Sequence, residues 1–338
     1  MSRGVILGGT GVIGRAAARR LLATGWDVVV VGRDRSRMPE DVAAAGGRFV
    51  AADRDEPGEL AAAVGAGADL LIDCLCFSAA HARALLPLLD DVGSVVMIST
   101  KAVYVDAVGH HVNSAVAPDF GGPIRESQPT MAPREDIDHR SREGYGANKV
   151  AAERVLLDSR YPVTVLRPSR VHGDGTSKPD EWVFVKRVLD RRPVVVLSRG
   201  GRGVDHTSAA ANIAALIEIA ANDPGPRILN SADPDAPSAL DISRIVAAHL
   251  GHRWREVLLD QHAPAELGRH PWDRLPAIRL DLSAAEHLGY QPVGDYAATV
   301  TAELDWLISL SQLPPTFDHD YFAPMLDYAA EDEYLAEH

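Results

Sequence analysis

The sequence predicts an α/β fold built around a doubly wound parallel sheet. Three observations support this: short apolar runs alternate with amphipathic stretches, a glycine-rich turn follows the first run, and tight turns separate the segments at near-regular spacing. Parallel strands need crossover connections, and helices between apolar runs provide them. After Pro168 the alternation becomes irregular and helical patterns dominate. We therefore expect a smaller α-rich C-terminal lobe that carries the substrate site.

Apolar runs bounded by glycine or polar residues are the predicted strands of the sheet. They span residues 4–7, 27–31, 48–51, 70–76, 94–99 and 163–167. Amphipathic periodicity predicts the helices that connect them, at 13–23, 39–45, 57–64, 79–89 and 144–159. In the later part of the chain, helices are predicted at 181–190, 210–221, 241–250, 283–287 and 296–311.

The chain divides into three predicted parts. Residues 1–167 form a dinucleotide-binding domain, 168–317 a substrate-binding lobe interleaved with it, and 318–338 an acidic tail. Residues 105–143 interrupt the first part with little periodicity, which is typical of a functional lid or a disordered insertion. The tail has seven acidic residues and no Lys or Arg, so we interpret it as solvated or packed on a partner.

Composition excludes several functional classes. The 338 residues include 47 acidic side chains against 34 Lys and Arg, a net charge of −13, which disfavours nucleic acid as a partner. No apolar stretch reaches 18 residues and no signal peptide is visible, so we expect no membrane span and a cytoplasmic protein. Two cysteines are too few for a disulfide framework. The adjacent pair His110-His111 lacks neighbouring ligands, and no metal site is predicted.

A glycine-rich turn at the start of the chain predicts a phosphate site. Gly8 allows a tight turn, Gly11 lets backbone approach a pyrophosphate, and Gly14 allows close packing of the helix on the sheet. Amide groups at the start of the helix then face the anion. This order of strand, glycine turn and helix predicts dinucleotide binding through Gly8, Thr10, Gly11, Val12, Ile13 and Gly14.

The residues after the second strand bear on the choice of cofactor. An acidic residue there would bind the ribose 2′-hydroxyl of NAD, whereas arginine suits the 2′-phosphate of NADP. This chain has both Arg33 and Asp34, so NADP is the preferred cofactor and NAD stays possible. Asp53 either meets the adenine or caps its strand. The predicted cofactor contacts beyond the glycine turn are Arg33, Arg37, Asp53, Arg54, Lys149 and Pro168.

Tyr145 and Lys149 predict acid–base chemistry beside that cofactor. Residues four apart share a helix face, and a nearby cation lowers the pKa of a tyrosine from its usual value near 10. Such a phenol can exchange a proton with a carbinol oxygen near neutral pH. Lysine is scarce in this chain, with only four against thirty arginines, which gives modest support to a specific role for Lys149 over generic surface charge.

Taken together, these motifs resemble those of the extended short-chain dehydrogenases/reductases, the NAD(P)-dependent epimerase/dehydratase superfamily. The matching segments are the glycine motif at 8–14, Ile-Ser-Thr-Lys-Ala-Val-Tyr at 98–104, Tyr-x-x-x-Lys at 145–149, Leu-Arg-Pro…Val-His-Gly at 166–173, Ile-Leu-Asn at 228–230 and Leu-Gly-Tyr-Gln-Pro at 288–292. The resemblance covers most of the chain and implies a Rossmann-type domain.

The resemblance also implies residue roles. Thr100 would orient the substrate oxygen, Tyr145 would exchange its proton, and Lys149 would bind the nicotinamide ribose. These three are the predicted catalytic residues. On the substrate side the predicted contacts are Thr100, Lys101, Tyr145, Arg170 and His172. Members of the superfamily often dimerise through the helix that carries this tyrosine, so a homodimer is expected.

Departures from the family pattern restrict the predicted reaction. Lys101-Ala102 stands where the 4,6-dehydratases carry Asp-Glu, which disfavours elimination. No arginine falls in register ahead of residues 205–213, which weakens a nucleotide-sugar substrate, although Arg199 or Arg202 could compensate. The predicted function is therefore an NADP(H)-dependent oxidoreductase acting on a small polyhydroxylated, sugar-like or natural-product substrate. The alternatives are a sugar epimerase that retains its cofactor and a non-catalytic NADP-binding sensor.

Overall fold

The computed structural model describes residues 1–310 and 319–338. Its strands are β1 (Arg3–Leu7), β2 (Asp27–Gly32), β3 (Arg48–Ala51), β4 (Ala68–Asp73), β5 (Val92–Ile98), β6 (Val163–Pro168), β7 (Arg170–His172), β8 (Val194–Leu197), β9 (Thr207–Ala209), β10 (Arg227–Ser231) and β11 (Arg255–Leu258). Seven of them form one parallel sheet in the order β10-β6-β5-β4-β1-β2-β3. The predicted doubly wound parallel sheet is confirmed.

Helices cover both faces of this sheet. The helices of the described residues are α1 (Val12–Ala23), α2 (Glu40–Ala44), α3 (Pro57–Val64), α4 (Ala79–Leu85), α5 (Arg142–Leu157), α6 (Trp182–Leu189), α7 (Ala210–Asn222), α8 (Ala239–His249), α9 (Ser283–His287), α10 (Tyr296–Thr299), α11 (Thr301–Leu310), α12 (His319–Phe322) and α13 (Tyr328–Glu337). Of these, α6, α8 and α11 pack in the core of the C-terminal lobe and not on the sheet. On one face, α1 and α7 bury Leu21 and Leu216. On the other, α4 and α5 bury Leu85 and Leu156. Both layers exclude water from the sheet, which stabilises it.

The pairing register of β1 with its two neighbouring strands places the carboxyl ends of all three side by side. Leu7 at the end of β1 pairs with Val31 in β2 and with Asp73 in β4. In open α/β sheets, ligands bind beyond these ends, where the strand order reverses. The reversal lies between β1 and β4, since β2 and β3 extend the sheet in the opposite direction.

The short strands β7, β8, β9 and β11 outside the large sheet were not predicted, and within that sheet β4 and β10 differ most from the sequence prediction. The predicted fourth strand extends to residue 76, but β4 ends at Asp73, because the Asp73 carboxylate accepts a hydrogen bond from the backbone of Leu75 at 2.8 Å and turns the chain. The seventh strand, β10, was not predicted. It is short and lies on the edge of the sheet beside β6, where tertiary pairing and not local pattern makes it a strand.

Residues 105–143 contain no helix or strand before α5 begins at Arg142, but contacts with both the sheet and the C-terminal lobe hold the segment in place. Tyr104 bridges to Thr130, and the Ile124 backbone donates to the Arg279 carbonyl oxygen at 2.8 Å. Ile124 is buried in a cluster with Tyr104 and Leu280. The segment is therefore an ordered connection between the sheet and the C-terminal lobe, and not the disordered insertion that its composition allowed.

The C-terminal lobe contains two small parallel pairs, β8 with β11 and β7 with β9. Its core combines aliphatic and aromatic side chains, with Phe184 stacked on the buried Trp272 at 5.8 Å between centroids. The predicted helix 296–311 is two helices, α10 and α11, and its predicted last residue, Ser311, lies outside the described residues, as does the boundary between 317 and 318.

The acidic C-terminal segment packs on the lobe instead of extending into solvent. Glu331 of α13 is buried and forms an ion pair with Arg187 of α6, which is also buried. Within residues 1–310 and 319–338, no helix is both long enough and apolar enough to cross a membrane.

Candidate active site

The glycine turn has the geometry of an anion cradle. Gly8 adopts a φ of +77°, and a Cβ at Gly14 would come within 2.5 Å of the Gly8 carbonyl oxygen. Only glycine permits this approach of α1 to the turn. Gly11 caps α1 without any side-chain hydrogen bond, and the first turn has no acidic residue. The free amide groups there suit a phosphate, so the chain fits the dinucleotide that its sequence predicts.

A cavity of about 620 Å³ extends from this turn along the carboxyl ends of the strands. Its volume lies within the usual range of small-molecule sites. It is lined by Leu7, Gly8, Thr10, Gly11, Val31, Gly32, Arg33, Asp34, Arg37, Ala52, Asp53, Arg54, Asp55, Leu60, Leu75, Phe77, His81, His139, Arg140 and Tyr145. The structure therefore brings together most of the predicted cofactor contacts with Tyr145. Of the others, Val12, Ile13 and Gly14 lie in the first turn of α1, Lys149 is on α5, and Pro168 ends β6.

At one end of the cleft, Asp34 is already engaged by its own loop. Its carboxylate accepts hydrogen bonds from the backbone nitrogen of Ser36 at 2.9 Å and from the Ser36 hydroxyl at 2.7 Å. These bonds lower the pKa of Asp34 below its usual value. Arg33 is 81% exposed and lies 4.0 Å from Asp53. Arg33 and Arg37 both line the cleft together with Asp34. The Asp34 carboxylate already accepts these two hydrogen bonds from Ser36.

Arg35 and Arg54 have other partners. The guanidinium of Arg35 lies 5.2 Å from the ring centroid of Phe49 and is absent from the cleft lining. Arg54 donates to both oxygens of the fully buried Asp73, at 3.0 and 2.8 Å, and to the His81 carbonyl oxygen at 3.0 Å. Arg54 also lines the cleft, so its predicted contact with the cofactor stays a prediction, made by a guanidinium that is already bonded to Asp73.

Lys149 is buried one helical turn after the half-buried Tyr145. Its Nζ donates to the carbonyl oxygen of Ile98, the last residue of β5, at 2.7 Å, and lies 4.5 Å from the ring centroid of Phe77. This bond fixes α5 against the end of the sheet. The ammonium is thereby held between the cleft wall and the strand that leads to Thr100.

Thr100 lies two residues beyond the end of β5 and starts a short 3₁₀ turn over Lys101–Val103. Its hydroxyl accepts a hydrogen bond from the backbone of Ala102 at 3.1 Å. Gly146 of α5 packs on this turn, since a Cβ there would overlap the carbonyl oxygen of Ala102. Gly146, between Tyr145 and Lys149, thus lets α5 lie against the turn that begins at Thr100.

An aromatic wall near Lys149 was missed by the sequence analysis. Phe77 stacks on His139 at 5.8 Å between centroids, and His81 packs edge-on to both rings. The position of Phe77 just past β4 was an available signal, because ligands meet the carboxyl ends of strands. Nothing local identifies His139, which only the path of residues 105–143 brings to the cleft.

Behind Thr100, the predicted substrate residues Lys101 and Arg170 belong to a buried ionic network. The Lys101 ammonium pairs with Asp205 and donates to the Ser169 hydroxyl at 2.9 Å. Arg170 reaches the same Asp205 at 3.1 Å, and Arg274 lies 3.8 Å from it. These cations therefore form one wall of the lobe next to the catalytic turn.

His172, also predicted to contact substrate, is not part of this wall. It is 2% exposed, and its Nε2 lies 2.9 Å from an oxygen of the buried Asp233. Asp233 follows β10 by two residues and fixes the ring through this contact. The Asp233 carboxylate also accepts from the side chain of Asn212 at 2.9 Å.

Comparison with known families and structures agrees with this geometry. A sequence profile described as the NAD dependent epimerase/dehydratase family matches residues 5–232. Comparison with curated protein sequences found no match.

Solved structures share the fold over most of the chain. A UDP-glucose 4-epimerase from Stenotrophomonas maltophila with bound NAD and formylated UDP-arabinopyranose is similar with a TM-score of 0.71 and 17% identity, covering 93% of this chain and 100% of that one. A dTDP-glucose 4,6-dehydratase from Bacillus anthracis in complex with NAD has a TM-score of 0.67 and 13% identity, covering 92% and 98%. A putative epimerase from Burkholderia cenocepacia has a TM-score of 0.68 and 19% identity, covering 91% and 98%.

Proposed function

The chain belongs to the NAD-dependent epimerase/dehydratase family, and we propose that it is an NADP(H)-dependent oxidoreductase. It interconverts a secondary alcohol and a ketone on a small polyhydroxylated, sugar-like or natural-product substrate. The observation that carries the proposal is the position of Tyr145. Its side chain lines the cavity that begins at the glycine turn, one helical turn before the buried Lys149.

In this proposal each residue has a separate task. A nicotinamide supplies the site that accepts or donates hydride. Tyr145 takes the hydroxyl proton as the alcohol is oxidised and returns it on reduction. Lys149, whose position is set by the Ile98 carbonyl oxygen, provides a fixed positive charge beside that phenol. The Thr100 hydroxyl orients the substrate oxygen from the opposite side.

NADP is the proposed cofactor because of the charge at the adenosine end. Arg33 and Arg37 line the cleft, whereas the Asp34 carboxylate is bonded to Ser36. Arginine recognises a phosphate with paired donors, and a carboxylate in the same place would repel it. Arg33 is exposed, and binding a 2′-phosphate would cost it a 4.0 Å contact with Asp53.

Elimination is disfavoured by the same turn. The two positions after Thr100 are Lys101 and Ala102, so no carboxylic acid stands there to protonate a leaving hydroxyl. Lys101 is moreover paired with Asp205 and buried. An epimerase that oxidises and re-reduces its substrate remains the second candidate, since family membership and the Thr100, Tyr145 and Lys149 set are equally consistent with it.

Stoichiometry separates these functions. The full chain is incubated with NADPH and a panel of keto sugars and small ketones, and both NADPH absorbance and product configuration are recorded. A reductase consumes one NADPH per alcohol formed, while an epimerase inverts a centre with no net change in cofactor. Tyr145→Phe should lower the rate of either reaction about 10²- to 10⁴-fold, which is the usual contribution of a positioned acid–base group. Unchanged turnover in this variant would exclude Tyr145 as the acid–base group. Cofactor binding by the wild-type chain without turnover of any substrate in the panel would favour the cofactor sensor.

Homodimerisation through α5 is a further proposal, based on family membership alone. Light scattering of the purified chain tests it directly. A mass of about 36 kDa, that of one chain, would exclude it under the conditions used.

A further inference from the structure

Three ligand-type side chains meet in the interior of the C-terminal lobe, away from the catalytic residues. His172 ends β7, Glu181 precedes α6, and Glu303 lies in α11. Their exposed fractions are 2%, 1% and 0%. Each has a ligand atom within 4.8 Å of those of the other two. The proposed reaction uses none of them.

Each of the three residues is oriented by an outer hydrogen-bond partner. Asp233 lies 2.9 Å from His172 Nε2, the Tyr296 hydroxyl donates to Glu181 Oε1 at 2.9 Å, and the Gly173 backbone donates to Glu303 Oε2 at 2.6 Å. Within the described part of the chain, His172 Nδ1 and Glu303 Oε1 are buried without a hydrogen-bond partner. A histidine held by a carboxylate through one nitrogen, with its other nitrogen free, is typical of a metal ligand.

The charge of the cluster also favours a bound cation. In residues 1–310 and 319–338, neither Glu181 nor Glu303 forms an ion pair with lysine or arginine. Two buried carboxylates this close are costly unless a cation or a proton lies between them. A divalent cation would compensate both and would also use the free nitrogen of His172.

We propose that His172 Nδ1 and one oxygen each of Glu181 and Glu303 bind a divalent cation of the zinc type. One imidazole and two carboxylates form a nitrogen–oxygen ligand set that suits Zn²⁺, and Mn²⁺ is the competitor favoured by the carboxylates. The ligands are too far apart in sequence to form a motif, which explains why no metal site was predicted. The site joins β7, α6 and α11.

Its place in the fold indicates a structural role. The next residue, Gly173, lies against α1, because a Cβ there would be 3.1 Å from Val12 Cγ2. Asp174 then pairs with Arg19 of α1 at 2.7 Å. A cation at this cluster would therefore fix the lobe helices to the segment that touches the nucleotide-binding helix.

The test uses the full chain, stripped with a chelator and dialysed, and then titrated with Zn²⁺ alone or Mn²⁺ alone. We expect about one Zn²⁺ bound per chain by mass spectrometry and a higher unfolding temperature when it is bound. Glu303→Gln should lower the affinity about tenfold or more, and so should Tyr296→Phe, which removes only the outer partner of Glu181. Glu218→Gln, a half-buried carboxylate on α7 paired with Arg20, is the matched control and should bind as the wild type does.

A shared proton between Glu181 and Glu303 is the rival occupant. In that case the wild-type chain binds no stoichiometric Zn²⁺ or Mn²⁺, and Glu303→Gln unfolds at the same or a higher temperature. Either result overturns the proposal. The wild-type titration decides the matter even if a variant fails to fold, and its outcome does not depend on the proposed reaction.

Discussion

Gly146 of the catalytic helix lies so close to the carbonyl oxygen of Ala102 that no side chain fits between them. Ala102 belongs to the turn that starts at Thr100, and Gly146 follows Tyr145 directly. The distance between the helix and the turn is thus set by the absence of one Cβ. This contact couples the proposed proton donor to the residue that orients the substrate.

Gly146→Ala should push α5 away from that turn. We expect a loss of activity of about 10²-fold or more from misplaced groups, together with lower stability. The matched control is Gly58→Ala in α3, where a Cβ would meet nothing within 4 Å. Because alanine is the better helix former, this control should be stabilised by about 0.5–1 kcal/mol. Thermal unfolding and turnover of both variants check the pair; equal behaviour would contradict the role given to Gly146.

Arg33→Ala should weaken NADPH binding more than NADH binding. An arginine–phosphate contact contributes about 1.5–3 kcal/mol, so the affinity for NADPH should fall about tenfold or more while that for NADH changes little. Arg35→Ala is the control from the same loop, because Arg35 stacks on Phe49 and does not line the cleft. Fluorescence titration measures both cofactors. A wild-type preference for NADH would refute the NADP assignment.

Arg54→Ala should act mainly on stability. It leaves the fully buried Asp73 carboxylate without its ion pair, which typically costs about 3–5 kcal/mol of the free energy of unfolding. Arg48→Ala breaks an exposed pair with Asp27 and should cost about 1 kcal/mol or less. Urea unfolding of the two variants makes the comparison. A small stability change in Arg54→Ala with a large loss of cofactor affinity would instead support the predicted cofactor contact of Arg54.

The thiols of Cys74 and Cys76 should be inert in the folded chain. Burial, with the nearby Asp73 charge, raises the pKa of each to about 12. At pH 8 only about one part in ten thousand is then thiolate, whereas an unperturbed cysteine with a pKa near 8.5 is partly ionised. Their contribution to stability is complete below about pH 8.5 and is lost as the pH rises towards 12. Reaction with a chromogenic disulfide should be absent until the chain is unfolded in urea; rapid labelling of native protein would contradict this.

Local patterns predicted the nucleotide-binding part of the fold well. The strands β3 and β6 and the helices α1 and α3 lie within a residue or so of their predicted bounds, because apolar periodicity and glycine placement act over a few residues. The sequence prediction of strands fails where contacts outside the local pattern determine whether a segment is a strand and where it ends. Asp73 ends β4 early by bonding to Leu75, and β10 is a strand because β6 lies beside it.

The sequence by itself determined the glycine turn, the shared face of Tyr145 and Lys149, and the arginines after β2, since each depends on spacing within one element. Only the tertiary structure brought His139 to Phe77, Lys101 to Asp205, and Glu303 to His172, pairs separated by tens to more than a hundred residues. Such pairs are formed by the packing of whole helices and strands, so no local pattern of residues can specify them.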